Sequence, residues 1–344
     1  MMPAALLWRA TQAAVKPMNL LLKLCLFCAA GPLASGVLAQ QPPAATVCAE
    51  PSAGTISFAD IRAKYADPDS RFVTLEGLDG IDTHYKVEGQ GPAVLLVHSS
   101  SGDLKDYDTW VDTLKADYRV VRLDLPAFGL SGAVPSGNYS IDRYLMLVDA
   151  LMDHLGIERF AIAGTSYGGL VAFRYAGTRT DRVTALIVQN SAGVEYGGRR
   201  GTEERARDSE AIFVPRTATQ SGFQKMLNTV INDPSKVTPE LVRRKTDFAN
   251  VIGRDCESFV ALRLYERGNP QRVLSHVRAP ALVLWGGNSK GLSVATANIF
   301  AEAMVNAPSV DKVIYAGGGH LTHIERPAET ATDVKAFLDR VLAP

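Results

Sequence analysis

The chain has no surplus of either charge. Lys plus Arg and Asp plus Glu both total 36 in 344 residues, so the formal net charge is zero. Nucleic acid and anionic lipid are held through a basic face, and this balance argues against one. Cysteine is scarce, at four residues, and no Cys/His spacing suggests zinc; neither a metal nor another cofactor is expected. No internal repeat or heptad pattern stands out. What remains is 47% hydrophobic and 21% charged, the composition of a globular protein with a full core.

The first forty residues differ from the rest. Arg9, Lys16 and Lys23 precede the apolar stretch "LCLFCAAGPLA", and Val37 and Ala39 supply small residues before a cleavage point. This is the layout of a secretory signal, with initiation at Met1 or Met18. A retained membrane anchor is the alternative, but the apolar stretch is short for a span and Gly31-Pro32 interrupts it. The expected location is therefore secreted or periplasmic, with no stable membrane partner after signal removal. Residues 40–55 then form a flexible leader. Cys25 and Cys28 would leave with the signal. Cys48 and Cys256 would be the mature thiols, either paired or unrelated.

Downstream, "RFVTLEG" and "IDTHYKVEG" predict two strands joined through "LDG". "AVLLVH", "RVVRLD", "FAIAG", "VTALIVQN", "PALVLWGG" and "KVIYAGG" are short, apolar and β-branched, as strands buried on both faces should be. Helical spacing separates them, clearest over 140–156, where Ser140 and Gly156 are the expected caps. Alternation of this kind predicts an α/β fold, a mostly parallel doubly wound sheet covered on both faces. Residues 194–276 break the rhythm with charged helical stretches, and predict a helical cap over the carboxyl ends of the strands. The expected division is signal 1–39, leader 40–70, core 71–193, cap 194–276 and core 277–344.

Candidate chemistry starts at "GTSYG", where Ser166 stands between Gly164 and Gly168. The pentapeptide follows the strand "FAIAG" and precedes an apolar helix. A turn that tight lifts the serine hydroxyl to the sheet edge and excludes side chains at the flanking positions. Of the six histidines, His320 lies in the glycine-rich loop "AGGGHLTH" after the last predicted strand, where it can reach a facing hydroxyl. His323 is expected to be packed or solvent-facing. His84, His154 and His276 fall on predicted strand or helix surfaces.

Four stretches, "LLVHSSSGD", "DLPAFGLSG", "GTSYGG" and "GGGHLTHIERP", occur in an order that resembles the α/β-hydrolase superfamily over roughly residues 71–344. The resemblance implies Ser166 as nucleophile, His320 as general base, and Glu325 and Pro327 as supporting residues. It also implies an oxyanion hole from the backbone N–H of Tyr167 and of Ser100, with Ser99 the other candidate. Where the family commonly has His-Gly, this chain has His98-Ser99. The cap region resembles the lids of esterases and of C–C bond hydrolases of meta-cleavage products.

One expected group is missing. The family usually places an aspartate after the strand "LVLWG", where this chain has Ser289, and no Asp or Glu occurs from Trp285 to Ile299. Glu195, Asn190, Ser289 and Asn288 are the candidate replacements. Asp124 is expected to brace the "DLPAFG" turn instead. The expected activity is a serine hydrolase cleaving a small ester or related carbonyl substrate. The alternatives are a C–C bond hydrolase and a ligand-binding pseudo-hydrolase. Dehalogenase and epoxide hydrolase are disfavoured, because they need an aspartate where Ser166 stands.

Overall fold

The computed structural model describes residues 54–194, 216–263 and 270–343. The expected signal and Glu195 lie outside the described residues. Eight strands form one sheet: β1 (Arg71–Thr74), β2 (Asp82–Glu88), β3 (Ala93–Val97), β4 (Arg119–Leu123), β5 (Phe160–Thr165), β6 (Val183–Gln189), β7 (Ala281–Gly286) and β8 (Val310–Tyr315). Their order is β1-β2-β4-β3-β5-β6-β7-β8. β1 and β2 pair antiparallel, as do β2 and β4, and the other neighbours are parallel.

β3, β5 and β7 are buried along their whole length, so their apolar runs have two faces to fill. One core layer places α3 (Ile141–His154) and α4 (Tyr167–Thr178) on the sheet. The opposite layer contains α2 (Asp108–Leu114) and α11 (Pro327–Val341). Ser140 caps α3 through its hydroxyl, and Pro327 opens α11, as the sequence predicts.

Two expectations change. The leader expected over 40–70 contains a packed helix, α1 (Phe58–Tyr65), started by the Ser57 side chain. Ile61 is its one buried residue and packs with Leu130, Phe248 and Val251. Phe58 and Tyr65 are partly buried against the same cluster, so the helix places its apolar residues at i, i+3 and i+7. His84 is not a strand-surface residue: it is buried, with Nδ1 2.7 Å from Asp124 Oδ2.

Between β6 and β7 the described residues form α5 (Gln220–Val230), α6 (Pro239–Ala249), α7 (Arg254–Arg263) and α8 (Gln271–Leu274). α5 and α6 bury a small cluster of their own around Leu227, Leu241 and Val242, which takes in Leu321 from the loop after β8. Cys256 on α7 is buried and disulfide-bonded, and the other three cysteines lie outside the described residues. Among the described residues no helix is long and apolar enough to cross a membrane.

Candidate active site

β5 ends at Thr165 and α4 begins at Tyr167, so one residue makes the whole turn. That residue is Ser166, at φ 53° and ψ −112°, outside the regions a side-chain-bearing residue ordinarily occupies. Strain of this kind costs on the order of 1–3 kcal/mol and survives only where the surroundings impose it. Here they do. Ser166 N donates to Gln189 O at 3.0 Å, and Ser166 O accepts from Leu170 and Ala192. A Cβ at Gly168 would meet Val97 O at 2.1 Å, so the helix can start this close to β3 only with glycine there. The half-buried hydroxyl consequently sits at the N-terminus of a twelve-residue helix, where backbone dipoles favour negative charge.

The second candidate donor lies beyond β3. Ser99 O accepts from Gly102 N at 2.8 Å and from His98 Nδ1 at 2.7 Å. His98 Nε2 accepts from Leu125 N at 2.9 Å, so the ring is the neutral Nδ1–H tautomer and ties this loop to the one after β4. The Ser99 side chain is buried and its hydroxyl has no partner among the described residues. Gly102 packs against Ser99 N, where a Cβ would come within 2.9 Å, whereas Ser100 lines an open cavity.

This loop is also clamped to α6. Lys245 Nζ lies 2.7 Å from Asp103 Oδ2 and 2.6 Å from Asp106 Oδ2, while Arg244 reaches the same two carboxylates at 3.0 and 2.8 Å. Asp103, Asp106 and Lys245 have side chains no more than 2% exposed. The two cations hold the Asp103 carboxyl well below the usual range, against the opposing effect of its burial. Three buried charges and the partly buried Arg244, which the sequence does not signal, thus fix the cap helix to the segment that follows Ser100.

His320 is held on both sides. Its backbone N–H donates to Val230 O at 2.7 Å, which joins the loop to the end of α5. Glu325 accepts from Gly319 N at 2.7 Å and from Asp233 N at 3.0 Å, so both of its oxygens serve the loop backbone. The β6 end connects this loop to the elbow: the Gln189 side chain donates to Thr322 Oγ1, and Asn190 Oδ1 accepts from Gly286 N.

Ser289 does lie beside His320. Its Oγ stands 3.4 Å from Nδ1, a long contact, on a backbone pinned by Ser289 N to Gly286 O at 3.2 Å. Desolvation lowers the His320 pKa from its ordinary value to about 4. Asn190, the other neutral candidate on a strand end, is buried at φ 40° and spends its carbonyl on Gly286 and Thr322. The Asn288 backbone caps Gly318 O and Asn288 O accepts from Asn232. Asp124 braces its turn as expected, accepting from Leu130 N at 2.7 Å and Leu104 N at 2.8 Å. No hydrogen bond joins Ser166 Oγ to His320 among the described residues. Such contacts often tighten only with substrate present. His323 is packed, stacked on Tyr107 with ring centroids 5.0 Å apart, and burial lowers its pKa to about 3.

Within the segment between β6 and β7, a mostly apolar chamber of about 670 Å³ has Phe223, Met226, Ala249 and Phe259 on its described walls, and neither Ser166 nor His320 is among them. A smaller cavity of about 130 Å³ shares Phe223, Ala249 and Ser258 with it and reaches Ser100.

Known proteins place this architecture. A hydrolase of 2-hydroxy-6-oxononadienedioate and 2-hydroxy-6-oxononatrienedioate from Burkholderia vietnamiensis is 27% identical over 277 residues, 75% of this chain and 91% of its own length. The crystal structure of a membrane phospholipase A described as a bacterial virulence factor is 27% identical. It covers 80% of this chain and 87% of that one, at a TM-score of 0.65. A putative lipase from Acinetobacter baumannii shares the fold at 21% identity and a TM-score of 0.67, covering 83% of this chain and 97% of its own. The family described as the alpha/beta hydrolase fold matches residues 92–327, more than half of the chain, so this protein belongs to that family and is a hydrolase by that membership.

Proposed function

We propose that the protein is an exported serine hydrolase that cleaves a small ester or related carbonyl substrate through an acyl-enzyme on Ser166. The observation that carries the reading is the strained Ser166 at the start of α4, between two glycines whose Cβ positions are filled by backbone. His320 takes the Ser166 proton as the hydroxyl attacks the carbonyl carbon, and later returns it to the leaving group. Tyr167 N–H and Ser100 N–H stabilise the oxyanion. Ser100 is preferred to Ser99 because it lines an open cavity, whereas Ser99 is buried. Ser289 takes the third position: its hydroxyl accepts from Nδ1–H and fixes the tautomer that leaves Nε2 free as base. Being neutral, it gives the imidazolium less support than a carboxylate.

Labelling tests this directly. A fluorophosphonate probe is expected to modify Ser166, with loss of labelling in Ser166→Ala and slowing in His320→Ala. Equal labelling of Ser166→Ala refutes the assignment. A labelled serine without turnover of any acetate or butyrate ester would favour the ligand-binding reading. The Burkholderia relative supports C–C bond cleavage as the second reading, tested with a vinylogous 1,5-diketone. Export rests on the first forty residues; the mature terminus by mass spectrometry is expected just after Ala39, and an intact Met1 or Met18 terminus overturns it.

A further inference from the structure

β6 ends at Gln189, which makes contacts in two directions. Its carbonyl accepts from Ser166 N at 3.0 Å and so pins the nucleophile elbow. Its side-chain Oε1 accepts at 3.0 Å from Thr165 Oγ1, one residue before Ser166. Its Nε2 donates to Thr322 Oγ1, two residues after His320. Thr165 Oγ1 also stands 2.9 Å from the Tyr107 hydroxyl. From Thr322 the contacts continue to Asn190 Oδ1 at 3.5 Å, which accepts from Gly286 N at 3.1 Å. Gly286 O in turn accepts from Ser289 N. One side chain thus joins the strand end that carries Ser166 to the loop that carries His320, 133 residues apart for Gln189 and Thr322.

Thr165, Gln189, Asn190 and Thr322 are fully buried. Stability alone does not account for such a group. Apolar residues of the same shape would be nearly neutral there, whereas a polar member left unpaired costs about 1–3 kcal/mol. What a satisfied network adds is rigidity, and with it a fixed separation between the segments it joins. His320 needs that. Its ring has a long 3.4 Å contact to Ser289 and, among the described residues, no hydrogen bond to Ser166 Oγ. Val230 and Glu325 hold the His320 loop to the segment between β6 and β7. Gln189 holds it to the elbow.

We propose that Gln189 is a positioning residue, which sets the separation of Ser166 and His320 by bridging Thr165 and Thr322. The inference rests on the serine-hydrolase reading and adds what keeps the base in register with the nucleophile.

Thr165→Val and Thr322→Val each remove one end of the bridge at nearly constant shape, and Gln189→Met removes both. The variants are compared by kcat and KM on 4-nitrophenyl acetate, by the rate of fluorophosphonate labelling and by thermal midpoint. Misplacing a catalytic group by about 1 Å costs on the order of a hundredfold. Each variant is therefore expected to lose about ten- to a hundredfold in kcat and in labelling rate, with KM changed by less than about twofold. Both ends act through one amide, so the Thr165→Val/Thr322→Val double variant is expected within about threefold of the slower single one. Thr165→Ser and Thr322→Ser keep the hydroxyls and are expected to retain most of the rate. Folded valine variants with the parent rate, or losses that multiply in the double variant, overturn the proposal and leave the hydrolase reading intact. If the valine variants do not fold, Thr322→Ala against Thr322→Ser decides, since both lack the methyl group and one keeps the hydroxyl; equal rates overturn the bridge. A parent protein that is neither labelled nor active overturns both readings.

Discussion

Replacing Ser289 with aspartate puts a charge where the described residues offer His320 only a hydroxyl. Ser289 Oγ is 3.4 Å from His320 Nδ1, and a carboxylate extends about one further bond, roughly 1.2 Å. That brings an oxygen into the range of a charge-assisted bond, about 2.7–2.9 Å. An opposite charge at such distance raises a histidine pKa by roughly 1–3 units, or about 1.4–4 kcal/mol of imidazolium stabilisation. Burial, which disfavours its charged form, lowers the His320 pKa to about 4. The variant is therefore expected to titrate between about 5 and 7. Because the imidazolium forms as Ser166 attacks, part of the gain reaches the barrier, and kcat for 4-nitrophenyl acetate should rise by about ten- to a hundredfold. The acid limb of kcat/KM should move with it. In the parent the rate is expected to stay flat down to about pH 5 and to fall near pH 4, and in Ser289→Asp to fall one to three units higher. Ser289 is 8% exposed, so the new carboxylate is costly and the thermal midpoint is measured alongside. A folded variant with neither a faster rate nor a shifted limb would refute the argument. A loss of several powers of ten in Glu195→Gln would show that a carboxylate already serves His320.

The remaining predictions concern the buried charges. Lys245→Met leaves Asp103 and Asp106 with Arg244 alone; removing one member of a buried ion-pair group costs about 3–5 kcal/mol, measurable by chemical denaturation. Adding Asp106→Asn should recover part of that loss, and equal stability of both variants to the parent would sink the idea. His320 and His323 have folded-state pKa values near 4 and 3, below the ordinary 6.5. The unfolded chain therefore takes up protons first, and each histidine lowers stability by about 1.4 kcal/mol per pH unit from 6.5 down to its folded value. Thermal midpoints should fall over that window, with a shallower fall in His323→Leu; an unchanged slope would remove His323 from the account.

The fold and the strand-end positions of Ser166 and His320 were legible because each rests on local pattern. The elbow needs glycine at fixed offsets around Ser166, and His320 follows a strand whose apolar run is plain. Position 289 could be located by its offset from β7 even though its chemistry is not the family's. What local pattern does not encode was missed. Lys245 and Asp103 are 142 residues apart, and neither stretch signals the other. His84 reads as a strand surface until its partner Asp124, 40 residues on, closes over it. Arg254 belongs to a charged helix whose sequence looks solvated; burial came from α1 and the Ser131 segment, which no periodicity joins to it.

These placements bear on how such a site can work with a weakly supported base. A histidine near pKa 4 is almost wholly deprotonated at neutral pH, so lowering its pKa costs driving force for proton abstraction and not availability of the base. In the serine proteases, exchanging the orienting aspartate for asparagine lowers kcat by roughly 10^4, while oxyanion hole and binding alone retain about 10^3–10^4 over water. The parts proposed to supply that residue of catalysis are here closely packed and ion-paired. Gly168 seats α4 against β3, and the Asp103–Asp106–Arg244–Lys245 group fixes the Ser100 loop to α6. On the proposed mechanism, backbone positioning is expected to carry the larger share of the rate. Loosening the Ser100 loop should therefore cost more activity than removing the Ser289 hydroxyl, whose long contact at 3.4 Å fixes a tautomer and contributes little charge.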